Sequence, residues 1–260
     1  MPSTTVQSDI EGLLCDSSGE TASGCTVRKL LFSTGSPFAR AVRITLDELE
    51  LEYDRQELIA ALSVGEMAAV TPTLQVPTFW DGDLTLWESG TIVEYLLSTY
   101  EQRSDNAPPL ARSAFRRETE WRDRLIFSTI QTFGNAATTI SQLTWTGVTV
   151  EQNEHLFRSA ERLTQILLWL EGQLNDAEPG FLPGCVSMQD IFLAAHIRFV
   201  QARPLGVDLQ LPRYSKIDRL LDRLDERASF QSNPIWWWEP GVVGYKPDGT
   251  PIFDGKDPLS

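Results

Sequence analysis

Histidine and cysteine are scarce in this chain of 260 residues. The two histidines, His155 and His196, leave little material for a histidine-based metal site or a Ser-His-Asp triad. The three cysteines form no CxxC pair, no metal-ligand spacing and no even set for disulfides; they are Cys15, Cys25 and Cys185. We therefore expect no bound metal and a reducing, cytoplasmic location.

Positive charge and long apolar runs are also lacking. Lys and Arg number 22 against 36 Asp and Glu, which gives a formal net charge of −14. Proteins that bind nucleic acids or anionic membranes need clustered basic residues, so neither partner is expected. No apolar run approaches the roughly 18 residues of a membrane span. Residues 1–26 show no basic start followed by an apolar core, so no secretory signal is expected.

The first third of the chain alternates between strand and helix patterns. Pro37 suits the first position of a helix over 37–48, and Ser36 is a natural N-cap for it. Asp81-Gly82 is a strong hairpin signal between two short strands, and Ser89 is a possible cap for the helix that follows. The predicted order is β-α-β-(α)-β-β-α, with elements over 29–33, 37–48, 51–58, 59–70, 78–80, 84–87 and 89–100.

Helical patterns dominate the rest of the chain. A polar segment with two prolines at 101–110 is typical of a linker, and long amphipathic patterns follow over 111–140, 151–174, 188–202 and 213–229. The sequence thus predicts an α/β domain over 27–103 and an all-helical domain over 111–232. A mobile extension over 1–26 precedes them, and a tail over 233–260 follows, whose tryptophans 236–238 are expected to pack against the body.

Four stretches in this order resemble the cytosolic glutathione transferase family. They are SPFARAVRITL at 36–46, LQVPTFW at 74–80, WESGTI at 87–92 and PGCVSMQDIFLAA at 183–195. The resemblance covers roughly residues 27–232 and implies a thioredoxin-like N-terminal domain followed by an all-helical C-terminal domain. It also implies glutathione as cosubstrate and a homodimer.

The first stretch carries the expected catalytic residue. In the family, the residue before this proline contacts the glutathione sulfur, and here that residue is Ser36. A hydroxyl at a helix N-terminus can donate to a thiolate, and the helix dipole favours negative charge there. Ser36 could instead be only a helix cap, and Ser33 and Thr34 stay as rival hydroxyls. Phe38 is expected beside glutathione and at the edge of the electrophile pocket.

The next two stretches supply the expected glutathione contacts. In the family, the proline of LQVPTFW follows a cis peptide bond and the preceding valine pairs through its backbone with glutathione, which assigns Gln75, Val76 and Pro77 to the site. Glu88 and Ser89 match the pair that holds the ammonium and carboxylate of the γ-glutamyl group. Either set could also be purely structural, as an ordinary trans proline or a capped helix start.

The fourth stretch indicates structure rather than chemistry. Ser187 and Asp190 match the family's N-terminal capping box. One departure concerns the basic residue that usually holds the glycine carboxylate, because residues 59–70 contain no Lys or Arg. Arg40 and Arg43 could supply positive field from the first helix, although surface ion pairing is the commoner fate of such residues.

The resemblance implies a glutathione transferase that presents the glutathione thiolate to an electrophilic, apolar small molecule. The electrophile pocket is expected between Phe38 and the first long helix of the second domain, with Trp121 and Phe127 as candidate lining residues. A glutathione-dependent isomerase, lyase or dehalogenase on the same scaffold stays open, as does a non-catalytic binding protein with this fold.

Overall fold

A computed structural model describes residues 28–58, 62–101, 108–203 and 205–234, and the backbone of two short strands at 242–245 and 251–253. The predicted extension over 1–26 and the tryptophans at 236–238 lie outside the described residues.

Four strands form one mixed sheet in the order β2-β1-β3-β4. β1 runs parallel to β2, while β3 is antiparallel to both β1 and β4. The parallel pair requires a crossover, which the first helix supplies. The expected thioredoxin-like sheet followed by a helical region is confirmed. The strands are β1 (Arg28–Phe32), β2 (Asp54–Glu57), β3 (Thr78–Asp81) and β4 (Leu84–Trp87).

The hairpin turn lies one residue later than predicted. Asp81 is the last residue of β3 and pairs with Leu84, so the turn consists of Gly82 and Asp83. Gly82 has φ of 58°, a backbone region that glycine enters without steric cost. The glycine therefore takes the first central position of the turn rather than the second.

Three helices accompany the sheet: α1 (Pro37–Glu48), α2 (Val64–Val70) and α3 (Ser89–Thr99). The helical region contains α4 (Glu120–Trp145), α5 (Glu154–Glu171), α6 (Met188–Gln201), α7 (Ser215–Asp225) and the short α8 (Ala228–Gln231). α6 is buried along almost its whole length and packs against α1 and α4. α1 is therefore held between the sheet and the helical region. Among the described residues, no helix is both long and apolar enough to cross a membrane.

α4 begins at Glu120, so the prediction of helix from residue 111 was wrong. The buried carboxylate of Asp123 accepts hydrogen bonds from the backbone N–H and the guanidinium of Arg116, at 2.9 and 2.7 Å. The amide of Gln189 also donates to the carbonyl of Ala114 at 3.1 Å. These contacts fix residues 111–119 as a loop, which helical periodicity alone does not reveal.

The helix predicted over 213–229 is divided in the structure. Arg227 has an extended backbone with ψ of 137° between α7 and α8. Its guanidinium forms two hydrogen bonds to the buried carboxylate of Glu48 at the end of α1, at 2.7 and 2.6 Å. The break in the helix lets the C-terminal segment reach back to α1.

The capping box at Ser187 and Asp190 is confirmed. The Asp190 carboxylate accepts from the backbone N–H and the hydroxyl of Ser187 at 2.7 and 2.6 Å, while the Ser187 hydroxyl accepts from the N–H of Asp190 at 3.3 Å. Phe181 donates its backbone N–H to the same carboxylate at 3.0 Å. Both residues are fully buried at the start of α6, as expected for a structural motif.

Candidate functional site

The loop between β1 and α1 places Ser36 at the N-terminus of α1. Ser36 is the N-cap, as predicted, and its hydroxyl oxygen accepts from the backbone N–H of Ala39 at 3.2 Å. The backbone N–H of Ser36 donates to the carbonyl of Ser33 at 3.0 Å, which tightens the turn. No described residue accepts the hydroxyl hydrogen of Ser36. Ser36 can therefore cap the helix through its oxygen and still donate to a ligand.

A cavity of about 600 Å³ opens beside Ser36. Four of the predicted site residues line it together: Ser36, Phe38, Gln75 and Val76. On the opposite side it is bounded by residues of α4 between Asn135 and Trp145, and by Phe199 of α6. The cavity thus lies between the loop that carries Ser36 and the first long helix of the helical region.

The segment before β3 forms one edge of this cavity. The Val76–Pro77 peptide bond is cis, as the resemblance implied. Pro77 is buried, whereas Gln75 is exposed and Val76 is half-buried. The backbone of Val76 makes no hydrogen bond to the described residues, because the paired part of β3 begins only at Thr78. Val76 therefore presents unpaired backbone groups just before β3, and such groups are what an extended peptide pairs with.

Glu88 and Ser89 are not among the residues that line the cavity. Glu88 is exposed and adopts the N-cap position of α3 with φ of 65°, without a side-chain capping bond. Ser89 is the first residue of α3 and is buried, so the prediction that it caps this helix was wrong. The first N–H groups of α3 have no intrahelical partners, as at any helix start, and the Glu88 carboxylate lies next to them in sequence.

The rival hydroxyls differ in their surroundings. Ser33 lines the cavity together with Ser36. The hydroxyl of Thr34 donates to the Glu57 carboxylate in a very short contact, and Thr34 is not among the lining residues. Its hydrogen is already engaged, which leaves Ser33 as the stronger rival to Ser36.

Arg40 and Arg43 are buried, so the interpretation of these residues as surface ion pairs was wrong. Nε of Arg40 donates to the carbonyl of Asn233 at 2.6 Å, and the guanidinium carbon of Arg43 lies 4.9 Å from the centre of the Phe32 ring. Burial lowers the pKa of each to about 10, and mutual repulsion with neighbouring arginines adds to the shift. Neither residue is among those that line the cavity.

Sequence reasoning missed Arg203, which lies just beyond α6. Its guanidinium donates to the backbone carbonyl of Gly35 at 2.8 Å and stacks on the Phe199 ring at 3.8 Å from the ring centre. This bond joins the helical region to the residue directly before Ser36. An arginine near a helix C-terminus is common, so its sequence context gave no signal of this contact.

His196 is a buried neighbour of Phe38, one of the residues that line the cavity. Its ring packs edge-on against Phe38, with 4.7 Å between ring centres, and Nε2 lies 3.3 Å from Oε1 of Gln131. A Cβ at Gly134 would approach the imidazole within 2.5 Å, so α4 passes His196 at a glycine. Burial lowers the pKa of His196 to about 3, which keeps the ring neutral.

Trp121 and Phe127 do not line the cavity, so their assignment to the electrophile pocket was wrong. Trp121 is 82% exposed near the start of α4, and Phe127 packs edge-on against Phe115 and Phe192. The cavity borders α4 further along, where the sequence is rich in hydroxyl and amide side chains rather than aromatic ones. Within the described ranges, no group of three or more His, Cys, Asp or Glu residues could hold a metal ion.

Comparison with known proteins supports the same family. Residues 30–104 match the model of the glutathione S-transferase N-terminal domain. The glutathione S-transferase-like protein gedE of Aspergillus terreus is 33% identical over 94 residues, which are 35% of this chain and 42% of that protein. The chain therefore spans less than half the length of this curated relative.

Solved structures share the fold at low sequence identity. The glutathione S-transferase of Methylobacterium radiotolerans, in complex with glutathione sulfonate, matches with a TM-score of 0.65 and 21% identity over 80% of this chain and 94% of that chain. That of Methylobacillus flagellatus, with glutathione bound, matches with a TM-score of 0.65 and 21% identity over 79% and 98%. The domain match shows that residues 30–104 form a glutathione S-transferase N-terminal domain, and the chain as a whole shares the fold of these solved structures.

Proposed function

We propose that this protein is a glutathione-dependent transferase that uses Ser36 to stabilise the glutathione thiolate and presents it to an electrophile. The observation that carries the proposal is the position of Ser36, which caps α1 beside a cavity and has a hydroxyl hydrogen that no described residue accepts. Helix N-termini favour anions, and a hydrogen bond to a charged sulfur favours the thiolate over the thiol. Each unit by which the pKa of the bound thiol falls requires about 1.4 kcal/mol of preferential thiolate stabilisation.

The γ-glutamyl and cysteinyl parts of glutathione have matching partners nearby. We assign the γ-glutamyl carboxylate to the N-terminus of α3 at Ser89, and its ammonium to the exposed carboxylate of Glu88. The unpaired backbone of Val76 would bind the cysteinyl backbone, with Gln75 beside it and Pro77 fixing the edge. Phe38, held in place by His196, would border the sulfur on the side of the electrophile. No metal takes part in this scheme.

A second candidate is a binding protein that holds glutathione without activating it. It is favoured by one observation: none of the described residues that line the cavity carries a charged side chain, so the glycine carboxylate finds no cation there. The fold is equally compatible with a glutathione-dependent isomerase, lyase or dehalogenase, which would use the same thiolate. We propose a cytoplasmic homodimer in each case.

Calorimetry and a turnover screen together test the assignment. Purified protein should bind glutathione and conjugate it to some members of a panel of electrophiles. Glu88→Ala should weaken glutathione binding by roughly 1.5–3 kcal/mol, the value of a charge-assisted contact. Glu161→Ala, which removes an exposed carboxylate from α5, is the matched control and should leave affinity unchanged. Glutathione binding without turnover of any electrophile would favour the binding protein.

A further inference from the structure

Gly90, the second residue of α3, leaves a space that two side chains of α4 occupy. A Cβ at Gly90 would lie 2.9 Å from the Phe127 ring and 3.2 Å from Nε2 of Gln131, so a side chain at this position would collide with α4. The amide of Gln131 therefore stands directly beside the first turn of α3. This is the helix start that Ser89 belongs to.

His196 determines which way the Gln131 amide faces. Nε2 of His196 lies 3.3 Å from Oε1 of Gln131, and burial lowers the pKa of the imidazole to about 3, so the ring is neutral. Nδ1 of the ring is enclosed without a partner. Because a carbonyl oxygen can only accept, the imidazole carries its hydrogen on Nε2 and donates it to Oε1. Oε1 is thus engaged, and Nε2 of Gln131 is the amide atom that faces α3.

Nε2 of Gln131 is a donor without an acceptor. It makes no hydrogen bond to the described residues, and it is not among their unpaired polar atoms that the protein encloses. Gln131 is half-buried, so a ligand can reach this amide from solvent. The amide of Gln189 on α6, in contrast, donates to the carbonyls of Ala114 and Asp123 at 3.1 and 3.4 Å. Gln131 makes no structural contact of that kind through Nε2.

The first turn of α3 adds donors around the same place. The N–H of Ile92 donates to the carbonyl of Glu88 at 3.0 Å and makes the first bond of the helix, so the N–H groups of residues 89–91 have no acceptor within it. Ser89 is 4% exposed, and its hydroxyl makes no hydrogen bond to the described residues. Backbone, hydroxyl and amide donors therefore surround one helix start, where an anion is favoured.

α4 connects this helix start to the cavity beside Ser36. Gln131 precedes Asn135 by four residues, which is about 6 Å along a helix, and Asn135 lines the cavity. A ligand that extends from Ser36 to the start of α3 would therefore end beside Gln131. Glutathione has this shape, with its thiol in the middle and the γ-glutamyl carboxylate at one end.

We propose that Gln131 donates a hydrogen bond from Nε2 to the γ-glutamyl carboxylate of glutathione, and that His196 orients the amide for this contact. This inference rests on the proposed glutathione-dependent function. The glutathione contacts assigned above all come from the first domain, and Gln131 adds one from the helical region. Gln131 is a binding residue in this scheme, while His196 is a positioning residue because it acts through Gln131.

Two ligands that differ in one carboxylate test the contact. Glutathione carries the γ-glutamyl carboxylate, whereas 4-aminobutanoyl-cysteinylglycine keeps the amino group and lacks only that carboxylate. Gln131→Leu should lower the affinity for glutathione about tenfold by calorimetry, the size of one hydrogen bond to a charged group. It should change the affinity for the analogue by less than about twofold. Gln165→Leu, at an exposed glutamine of α5, is the matched control and should affect neither ligand.

Gln131→Glu is a second variant of nearly the same shape, which serves if Gln131→Leu fails to fold. It replaces the donor by a carboxylate, so glutathione should bind still more weakly than to Gln131→Leu, while the analogue should bind at least as tightly as to wild type. His196→Phe keeps an aromatic ring against Phe38 and removes the hydrogen bond to Gln131. It should weaken glutathione binding, and the double variant with Gln131→Leu should bind no more weakly than Gln131→Leu alone.

The possible results separate this inference from the proposed function. If Gln131→Leu weakens both ligands equally, or leaves glutathione binding unchanged, Gln131 does not bind the carboxylate, although the glutathione-dependent function stands. If the losses from His196→Phe and Gln131→Leu add in the double variant, His196 does not act through Gln131. If the wild-type protein does not bind glutathione, both the proposed function and this inference fail.

Discussion

The guanidinium of Arg203 donates to the backbone carbonyl of Gly35 at 2.8 Å, and so connects the end of α6 to the residue before Ser36. Arg203 is 6% exposed and also stacks on Phe199, which lines the cavity. The helical region therefore positions the loop that carries the proposed catalytic hydroxyl. Arg203 is a positioning residue in this account, because it acts through the backbone of Gly35.

Arg203→Met should lower kcat more than it raises the KM for glutathione, since the loop loses its anchor while the edge at Val76 stays in place. We expect the loss of this hydrogen bond from a charged group to lower the stability of the protein by about 1.5–3 kcal/mol. Arg219→Met removes an exposed arginine that pairs with Asp176, and should cost less than about 1 kcal/mol of stability and leave kcat unchanged. Steady-state kinetics and chemical denaturation measure both. A stability loss for Arg203→Met without any change in kcat would refute the positioning role.

The buried ion pair between Glu48 and Arg227 should be necessary for the docking of the C-terminal helices. Glu48 is fully buried and also accepts a hydrogen bond from the Ser229 hydroxyl. Arg227→Met removes both guanidinium hydrogen bonds from this buried carboxylate, and we expect a loss of about 3–5 kcal/mol in the free energy of unfolding. Glu48→Gln combined with Arg227→Met should recover part of that loss, because no uncompensated charge remains. Urea denaturation of the single and double variants measures these changes in the free energy of unfolding.

The capping box should affect stability rather than chemistry. Ser187→Ala removes the cap of α6 and should cost about 0.5–2 kcal/mol. Asp190→Ala removes the acceptor of three hydrogen bonds and should cost more. A variant that keeps its melting temperature but loses turnover would overturn the structural interpretation.

His196 should make the protein sensitive to acid. Its pKa is about 3 in the folded protein and about 6.5 when unfolded, so the unfolded chain binds an extra proton between these values. Above pH 6.5, His196 therefore costs the folded protein no stability. As the pH falls from 6.5 towards 3, the free energy of unfolding decreases by about 1.4 kcal/mol per pH unit. Burial raises the pKa of Asp190 to about 6, so this residue increases the free energy of unfolding as the pH falls from 6 to 3.8. The difference between wild type and His196→Gln isolates the histidine.

Denaturation at several pH values between 4 and 7 provides the measurement. The stability difference between wild type and His196→Gln should shift in favour of the variant as the pH decreases. A difference that is independent of pH would mean that His196 titrates normally in the folded protein.

Local sequence signals predicted the helices and strands of the first domain well, because capping and turn residues mark where these elements begin and end. Ser36 followed by Pro37 located the start of α1, and the cis bond before Pro77 followed from the family motif. The loop over 111–119 and the break at Arg227 were missed because both depend on contacts with distant residues, such as Gln189 and Glu48.

The same distinction applies to the candidate site, where some residues follow from local motifs and others depend on tertiary packing. The residues beside the strand-to-helix loop follow from short motifs, whereas the opposite wall depends on how α4 packs against α5 and α6. Aromatic residues at helical spacing suggested Trp121 and Phe127, but Phe127 is half-buried and packs against the core, and Trp121 is exposed. The contact between Arg203 and Gly35 became visible only in three dimensions.

The pKa of the glutathione thiol in the complex tests the central claim most directly. It is measured from thiolate absorbance against pH, with wild-type protein, Ser36→Ala, and the controls Ser33→Ala and Thr34→Ala. We predict a pKa below that of free glutathione for wild type and both controls. Ser36→Ala should raise it by one to two units, which corresponds to about 1.4–2.7 kcal/mol, with little change in glutathione affinity. A normal thiolate signal in Ser36→Ala, or its loss in Ser33→Ala instead, would contradict the account.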